Sequence, residues 1–230
     1  MTSNASIDSA RTFTAWVTIV GAVLACADIY CFTAATGGDF ELLFRPAEAL
    51  ALPAAAQRLF VLANLADSFG FYLPFLVIGG YYWSTLRDHG RVLMNMAALC
   101  ITVYVLLGLA GTAMQIAAYP PLAAAHAGGD AMVKAATEAT WLGIVHATER
   151  GLWAMEGPVM AFWGIVVGNV LRREGDKGGY ILLLAGGLYG LLFALQAAGA
   201  DAIVNSLEPI ALLAVIVWMF QTGVALLRAR

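Results

Sequence analysis

Six long apolar runs constrain this chain more than any other feature of its sequence. Each has about the 20 mostly apolar residues that a helix needs to cross a bilayer. The runs cover about residues 14–35, 62–83, 93–117, a stretch that ends at Leu171, 180–199 and 209–227. They are continuous and do not alternate in polarity as barrel strands do. We therefore expect an all-α fold, a polytopic bundle of six transmembrane helices that forms a single integral membrane domain over residues 1–230.

The composition agrees with a membrane protein and argues against several soluble classes. Hydrophobic residues make up 61% of the 230 residues and charged residues 12%, against about 45–50% and about 25% in soluble domains. The mean hydropathy is +0.81. Three cysteines without a CxxC pair argue against a disulfide framework or a zinc knuckle. No basic block suggests nucleic-acid binding, and the first ten residues lack the basic region of a signal peptide.

Glycine, proline and short polar residues mark the expected helix ends. Turns are predicted at 36–39, 88–90 and 175–179. Helix three is expected to stop at Tyr119-Pro120-Pro121, and helix six to start at Ser206-Leu207-Glu208-Pro209.

Two segments do not fit the alternation of spans and turns. Residues 38–58 are mixed in character and predict a short surface helix around 47–58. Residues 129–171 are too long for one span, and Gly157-Pro158 is their main breaker. We expect an outer-side helical extension of helix four over about 130–155, which enters the membrane with a kink at Pro158.

Lysine and arginine counts predict the orientation, because cytoplasmic loops are enriched in both residues. With the N-terminus inside, the inner side carries eight of these residues and the outer side three, while Arg150 lies near a boundary. We therefore predict that the N-terminus and the C-terminus are both cytoplasmic and that the protein is a multi-pass protein of the cell inner (plasma) membrane.

Polar and ionisable residues are concentrated in the outer half of the predicted spans. Lipid cannot satisfy such groups, so they indicate a bundle interior or a water-filled cavity. Steps of three and four residues place those of helices two, three and four on single helix faces. The candidate ligand-binding residues are Asp28, Asn64, Asp67, Gln115, His146, Glu149, Arg150, Trp153, Glu156 and Gln196.

This polar set allows two interpretations. One is an outward-facing pocket, rich in acids, that binds a cation, an amine, a polar lipid head group or a proton. The other is an ionic clasp that only fixes the helix register. In both, Arg150 is the natural partner of a carboxylate, with Asp67 and Glu156 as the first candidates and Asp28 as the third.

No metal site, cofactor or catalytic residue is predicted. His146 and Glu149 have a spacing that can ligate a metal, but the second such pair that di-iron bundles need is missing. The sequence contains no HExxH, GxSxG, Walker or GxGxxG motif, and no lysine lies in a span. We therefore expect a binding protein rather than an enzyme.

Several local features resemble a family of bacterial six-helix integral membrane proteins of unknown function. They are Arg11-Thr12 before helix one, the turn at Leu86-Arg87, the aromatic and charged fourth helix, and the basic turn before a glycine-rich fifth helix. The resemblance implies a bacterial membrane bundle and no particular activity.

Three functions are therefore considered. The leading expectation is a polytopic inner-membrane protein that binds a small polar or cationic ligand or lipid head group in an outward-facing pocket, with transport as one use of that pocket. The alternatives are an accessory structural subunit of a larger membrane complex and an intramembrane enzyme that uses a carboxylate as acid or base. Expected partners are the lipid bilayer, a small-molecule or lipid ligand and other membrane proteins, but not nucleic acid.

Overall fold

The computed structural model describes residues 2–229, and side chains from residue 8 onward. Within that range the chain forms helices and short turns and no strand. Six helical segments are long and apolar enough to cross a membrane: Asp8–Thr36, Ala54–His89, Arg91–Gly128, Ala131–Arg173, Gly178–Ala197 and Asp201–Arg228. The predicted all-α class and the six spans are confirmed.

Several spans are interrupted rather than continuous α-helices. In chain order the elements are α1 (Thr2–Thr36), a 3-10 helix (Phe40–Phe44), α2 (Pro46–Leu50), α3 (Ala54–Asp67), a π turn (Ser68–Tyr72), α4 (Leu73–Leu86), a 3-10 helix (Arg87–His89), α5 (Arg91–Gly128), α6 (Ala131–Val145), a π turn (His146–Leu152), α7 (Glu156–Arg173), α8 (Gly178–Ala197) and α9 (Asp201–Arg228). We call the end of the bundle with both chain termini the terminal end, and the opposite end, with residues 37–53, the loop end.

The three predicted turns are confirmed, and each contains glycine with positive φ. Gly37 and Gly38 have φ of 67° and 83° after α1, Gly90 has φ of 152° before α5, and Gly175 has φ of 85° between α7 and α8. Side chains with a Cβ rarely adopt such angles, so the chain reverses where these glycines stand.

Two predicted helix boundaries are wrong. Helix three does not stop at Tyr119-Pro120-Pro121, because α5 continues through both prolines to Gly128. Packing stabilises this continuation, since Tyr119 is fully buried and its hydroxyl donates to the Ala49 carbonyl at 2.8 Å. Helix six does not start at Ser206, because α9 begins at Asp201 and contains Pro209 in its interior. Neighbouring helices can compensate for a proline inside a span.

Two further predictions need correction at prolines. The surface helix around 47–58 is instead the short α2 and the first turn of α3, separated at residues 51–53. Pro53 disfavours a helical conformation at the residue before it. The irregular part of helix four lies upstream of Pro158, in the π turn and at residues 153–155. Pro158 itself occupies the first turn of α7, where no backbone N–H is needed.

Two clusters of buried side chains hold the bundle together. The larger lies between the spans and includes the rings of Phe75, Trp163 and Trp218. The smaller lies at the loop end, where residues 37–53 pack onto α3, α5 and α6. Trp141 of α6 belongs to the smaller cluster and donates its indole N–H to the Leu43 carbonyl at 3.1 Å.

Glycine contacts bring α7 and α8 close together. A Cβ added at Gly164 would lie 3.0 Å from the Cα of Gly186. Both glycines belong to GxxxG motifs, which are typical of close helix packing in membranes. In this chain these two glycines pack α7 against α8 within the bundle.

Candidate functional site

A cavity of about 500 Å³ lies between the spans toward the loop end. Its walls come from α1, α3, α5, α7, α8 and α9 and from both π turns. The 3-10 helix Phe40–Phe44 contributes Phe40, Glu41, Leu43 and Phe44 and covers the cavity at the loop end. This volume is in the range of small-molecule sites, roughly 300–1,000 Å³.

The structure brings nine of the ten candidate residues together around this cavity. They are Asp28, Asn64, Asp67, Gln115, Glu149, Arg150, Trp153, Glu156 and Gln196. The tenth, His146, is exposed and does not line the cavity, and its ring meets the ring of Phe44 with centroids 5.4 Å apart. A π turn has more residues per turn than an α-helix. Steps of three and four residues placed His146 on the same helix face as Glu149 and Arg150. Because the backbone is π-helical here, His146 lies on a different face.

The cavity is strongly acidic. Six of its lining residues carry carboxyl groups and one carries a cationic group, Arg150. The six acids are Asp28, Glu41, Asp67, Glu149, Glu156 and Glu208. Electrostatic interactions link them, since Asp67 interacts with Asp28 and Glu149, and Glu156 interacts with Asp67, Glu149 and Glu208.

Arg150 does not neutralise the carboxylates that the sequence suggested as its partners. Its Nη1 atom forms an ion pair with Oδ1 of Asp201, and not with Asp67, Glu156 or Asp28. The prediction was wrong because it started the last helix near residue 206. In the structure Asp201 opens α9 and approaches Arg150 from the loop end. The guanidinium carbon also lies 5.2 Å from the ring centroid of Phe44.

Glu156 is the most deeply buried of the six acids. It opens α7 and is 5% exposed. Its carboxyl group interacts with the Tyr72 hydroxyl. Oε1, however, is buried without a hydrogen-bond partner among the described residues. A buried carboxylate oxygen without a partner is costly, so this atom indicates a place where a donor or a cation would bind.

Hydrogen bonds between helices hold one wall of the cavity. Gln115 Nε2 donates to Thr148 Oγ1 at 2.8 Å and to Glu149 Oε1 at 3.1 Å. One turn along α5, the hydroxyls of Thr112 and Ser68 lie 2.9 Å apart. The Gln115 amide therefore orients Glu149. Asn64, another candidate, uses its amide nitrogen within its own helix, on the Phe60 carbonyl at 3.1 Å.

Aromatic side chains form much of the remaining surface. The aromatic lining consists of Phe32, Phe40, Phe44, Phe71, Tyr72, Tyr104, Trp153, Tyr189 and Phe193. Gly108 and Gly111 of α5 make room for two of these rings, because an added Cβ would lie 1.9 Å from Tyr72 Cε1 and 2.4 Å from Trp153 Nε1 respectively.

Tyr72, Tyr189 and Glu208 line the cavity as well, although none of them is among the ten candidate residues. Tyr72 stands four residues after Ser68, so helical spacing could have placed it on the polar face. Tyr189 lies in a span that is otherwise apolar and glycine-rich, and its pattern gives no signal. Glu208 was expected at the start of helix six, among the outer polar residues, but was not one of the ten candidates.

Packed aromatic rings close the cavity toward the terminal end. Phe75 lies one turn beyond Phe71, and its ring centroid is 5.5 Å from that of Trp163 and 6.0 Å from that of Trp218. The rings of Trp163 and Trp218 are 5.7 Å apart. All three side chains are buried. We call these three residues the aromatic floor.

The carboxylates do not form a metal site. Among the described side chains, no three His, Cys, Asp or Glu residues converge as metal ligands would. The acids are distributed around the cavity and face a common space with aromatic walls.

Comparisons of the chain with protein families, with curated proteins and with solved structures found no match. No activity is therefore carried over from a relative.

Proposed function

We propose that this membrane protein binds a small organic cation, one with an ammonium group, in the acidic aromatic cavity. The observation that carries the proposal is the unpartnered Oε1 of Glu156 in a cavity lined by six acids. Arg150 is the one cationic residue of the lining, and its ion pair is with Asp201 rather than with any of the six acids. A bound cation would supply the missing positive charge.

The walls favour an organic cation over a metal ion. Ammonium groups bind to aromatic faces through cation–π interactions, which strengthen when water is excluded. Tyr72, Tyr104, Trp153 and Tyr189 line the same cavity as Glu156. A metal ion would need several oxygen ligands within about 2–2.6 Å, and the acids do not converge in that way.

The same proposal includes a placement in the membrane. The eight-to-three bias of lysine and arginine supports an orientation with both termini in the cytoplasm, and we place the protein in a bacterial inner membrane. The cavity then lies in the outer half, and the loop-end part of α5 and α6 extends beyond the outer surface. The aromatic floor favours capture of the ligand from one side, for presentation or for transport after the floor rearranges, over a continuous pore.

Binding can be tested with choline and its uncharged isostere 3,3-dimethyl-1-butanol. The full-length protein would be placed in phosphatidylglycerol nanodiscs and titrated calorimetrically with each compound. We expect choline to bind at least tenfold more tightly, which corresponds to about 1.4 kcal/mol. Equal affinity for the two compounds, or no binding of choline, would contradict the proposal.

Two variants test whether choline binds in the cavity or is attracted by the overall negative charge of the protein. Glu156→Gln should weaken choline binding at least tenfold. Glu48→Gln removes the same charge at an exposed position of α2 that pairs with Arg45, and it should leave binding unchanged. If choline binds but both variants retain the wild-type affinity, the site lies elsewhere. If the cavity binds nothing and heavier membrane proteins co-purify, the accessory-subunit alternative gains support.

A further inference from the structure

The exposed part of the cavity lining identifies where the cavity opens. Six lining residues are exposed, and all of them belong to α1, the 3-10 helix Phe40–Phe44 or α9. They are Ile29, Phe40, Asn205, Glu208, Pro209 and Leu213. The lining residues of the other helices are buried or half-buried. The opening therefore lies on the flank of the bundle, between the loop-end halves of α1 and α9.

The two helices are in close contact at the terminal end, and both border the cavity toward the loop end. A Cβ at Gly223 of α9 would lie 3.0 Å from the Ala15 carbonyl oxygen of α1, and one at Gly21 of α1 would lie 2.9 Å from Met219 Cε. Farther along, Ile29 of α1 and Leu213 of α9 both line the cavity. Pro209 lies in α9 at this level, where it removes a backbone hydrogen bond that would otherwise keep the helix regular.

The surface around the opening is apolar. Leu213 is 58% exposed although it lines the cavity, and its neighbour Ile210 is 52% exposed outside the lining. On α1, Ile29 and Tyr30 are exposed as well. Such side chains face lipid in a spanning helix. The opening is therefore directed at the hydrocarbon of the bilayer, while Glu208 and Asn205 mark its polar edge at the loop end.

We propose that the ligand is an amphiphile, an alkylammonium compound that enters from the bilayer between α1 and α9. Its ammonium group binds among the carboxylates near Glu156, and its hydrocarbon tail leaves the cavity between Ile29 and Leu213. This inference rests on the proposed function and adds the class of ligand and its route. A hydrophilic cation such as choline has only the head group of such a ligand.

Photolabelling can test where the tail lies. The probe is a dodecyltrimethylammonium ion with a diazirine in the middle of its chain, added at a low molar fraction to the full-length protein in phosphatidylglycerol nanodiscs. Its control is the matching uncharged dodecanol diazirine. After irradiation, mass spectrometry of peptides locates the labelled residues. We expect the cationic probe to label the segments around Ile29 and Leu213 at least fivefold more than the control does.

Two variants test the route itself. Leu213→Trp fills the opening and should reduce labelling around Ile29 at least fivefold. Ile210→Trp adds the same ring on the same helix outside the cavity and should not. Equal labelling of all lipid-facing helices by both probes would overturn the lateral route. If choline still binds in that case, the head-group site survives and only the amphiphile is rejected. If choline does not bind either, both proposals fail.

One further comparison identifies the source of the alkylammonium group. Phosphatidylethanolamine can be included in the nanodiscs at half of the lipid. Loss of labelling around Ile29 and Leu213 would show that a membrane aminolipid competes for the site. Unchanged labelling would exclude phosphatidylethanolamine and leave a free lipophilic amine as the source of the group. Either result supports the shared chemistry.

Discussion

Among the described glycines, Gly108 of α5 is the one where adding a single methyl group should disturb the cavity most. A Cβ there would lie 1.9–2.2 Å from three ring atoms of Tyr72, whereas carbon atoms in contact are about 3.5–4.0 Å apart. The ring would have to move by roughly 1.5 Å. It has little room, because Tyr72 is buried and its ring centroid lies 5.4 Å from that of Tyr104.

The expected net effect of Gly108→Ala is a loss of about 1–2 kcal/mol in the free energy of unfolding. Overpacking a buried site costs about 1–3 kcal/mol, and the better helix propensity of alanine offsets up to about 1 kcal/mol. Gly187→Ala is the matched control, because a Cβ at that helical position of α8 would meet nothing within 4 Å. The control should be neutral or stabilising by up to about 1 kcal/mol.

Two assays check this prediction. Reversible unfolding in mixed micelles with increasing SDS gives the stability of each variant. Calorimetric titration with choline gives the second readout, because displacing the Tyr72 hydroxyl changes its interaction with Glu156. We expect about fivefold weaker binding in Gly108→Ala, equivalent to about 1 kcal/mol. Equal stability and equal affinity in Gly108→Ala and Gly187→Ala would refute the packing argument.

Three further predictions concern the loop end. Asn205→Ala removes the 2.8 Å hydrogen bond to Glu41 at the cavity opening. It should accelerate dissociation of dodecyltrimethylammonium about fivefold, which corresponds to roughly 1 kcal/mol in the barrier. An unchanged dissociation rate, measured by stopped-flow tryptophan fluorescence, would reject this prediction. Arg150→Ala should lower stability by up to about 1 kcal/mol more than Arg45→Ala, because Arg150 also lies 5.2 Å from the ring centroid of Phe44, whereas Arg45 has exposed ion pairs alone; equal thermal midpoints would contradict it. The Arg45 guanidinium holds the pKa of Asp39 below its ordinary value of 3.8. The contact is therefore fully stabilising above about pH 4 and is lost as the pH falls through the lowered pKa. The Glu41 N–H donates to Asp39 Oδ1 at 3.0 Å, so its protection factor, the ratio of the intrinsic to the observed amide exchange rate at each pH, should fall in acid; an unchanged protection factor would reject this.

The spans could be predicted because bilayer thickness directly sets the length of an apolar run. The grouping of polar residues followed from a similar constraint, since groups that lipid cannot satisfy must face inward. That constraint placed Asp28, Asp67, Glu149 and Glu156 around one cavity although they are far apart in sequence. Sidedness and ligand binding stay predictions.

What the sequence did not predict depends on contacts between distant residues. Pro120 and Pro209 lie inside helices because neighbouring helices compensate for them, and no local pattern reveals such compensation. The pairing of Arg150 with Asp201 depended on where α9 begins. Trp153 was predicted, but Tyr72 and Tyr189 were not, because a tyrosine in an apolar run gives the same pattern whether its ring faces lipid or the bundle interior.

The position of α9 after the other five described spans has a consequence for biogenesis. It supplies Glu208, Asn205 and Leu213 to the cavity and Asp201 to Arg150. While the chain is being synthesised, the first five spans enter the membrane before this wall exists. During that interval Arg150 has no ion-pair partner from α9, and the acids of α1, α3 and α7 border a cleft open to lipid. Insertion of the sixth span is therefore the step that converts an exposed acidic cleft into a cavity.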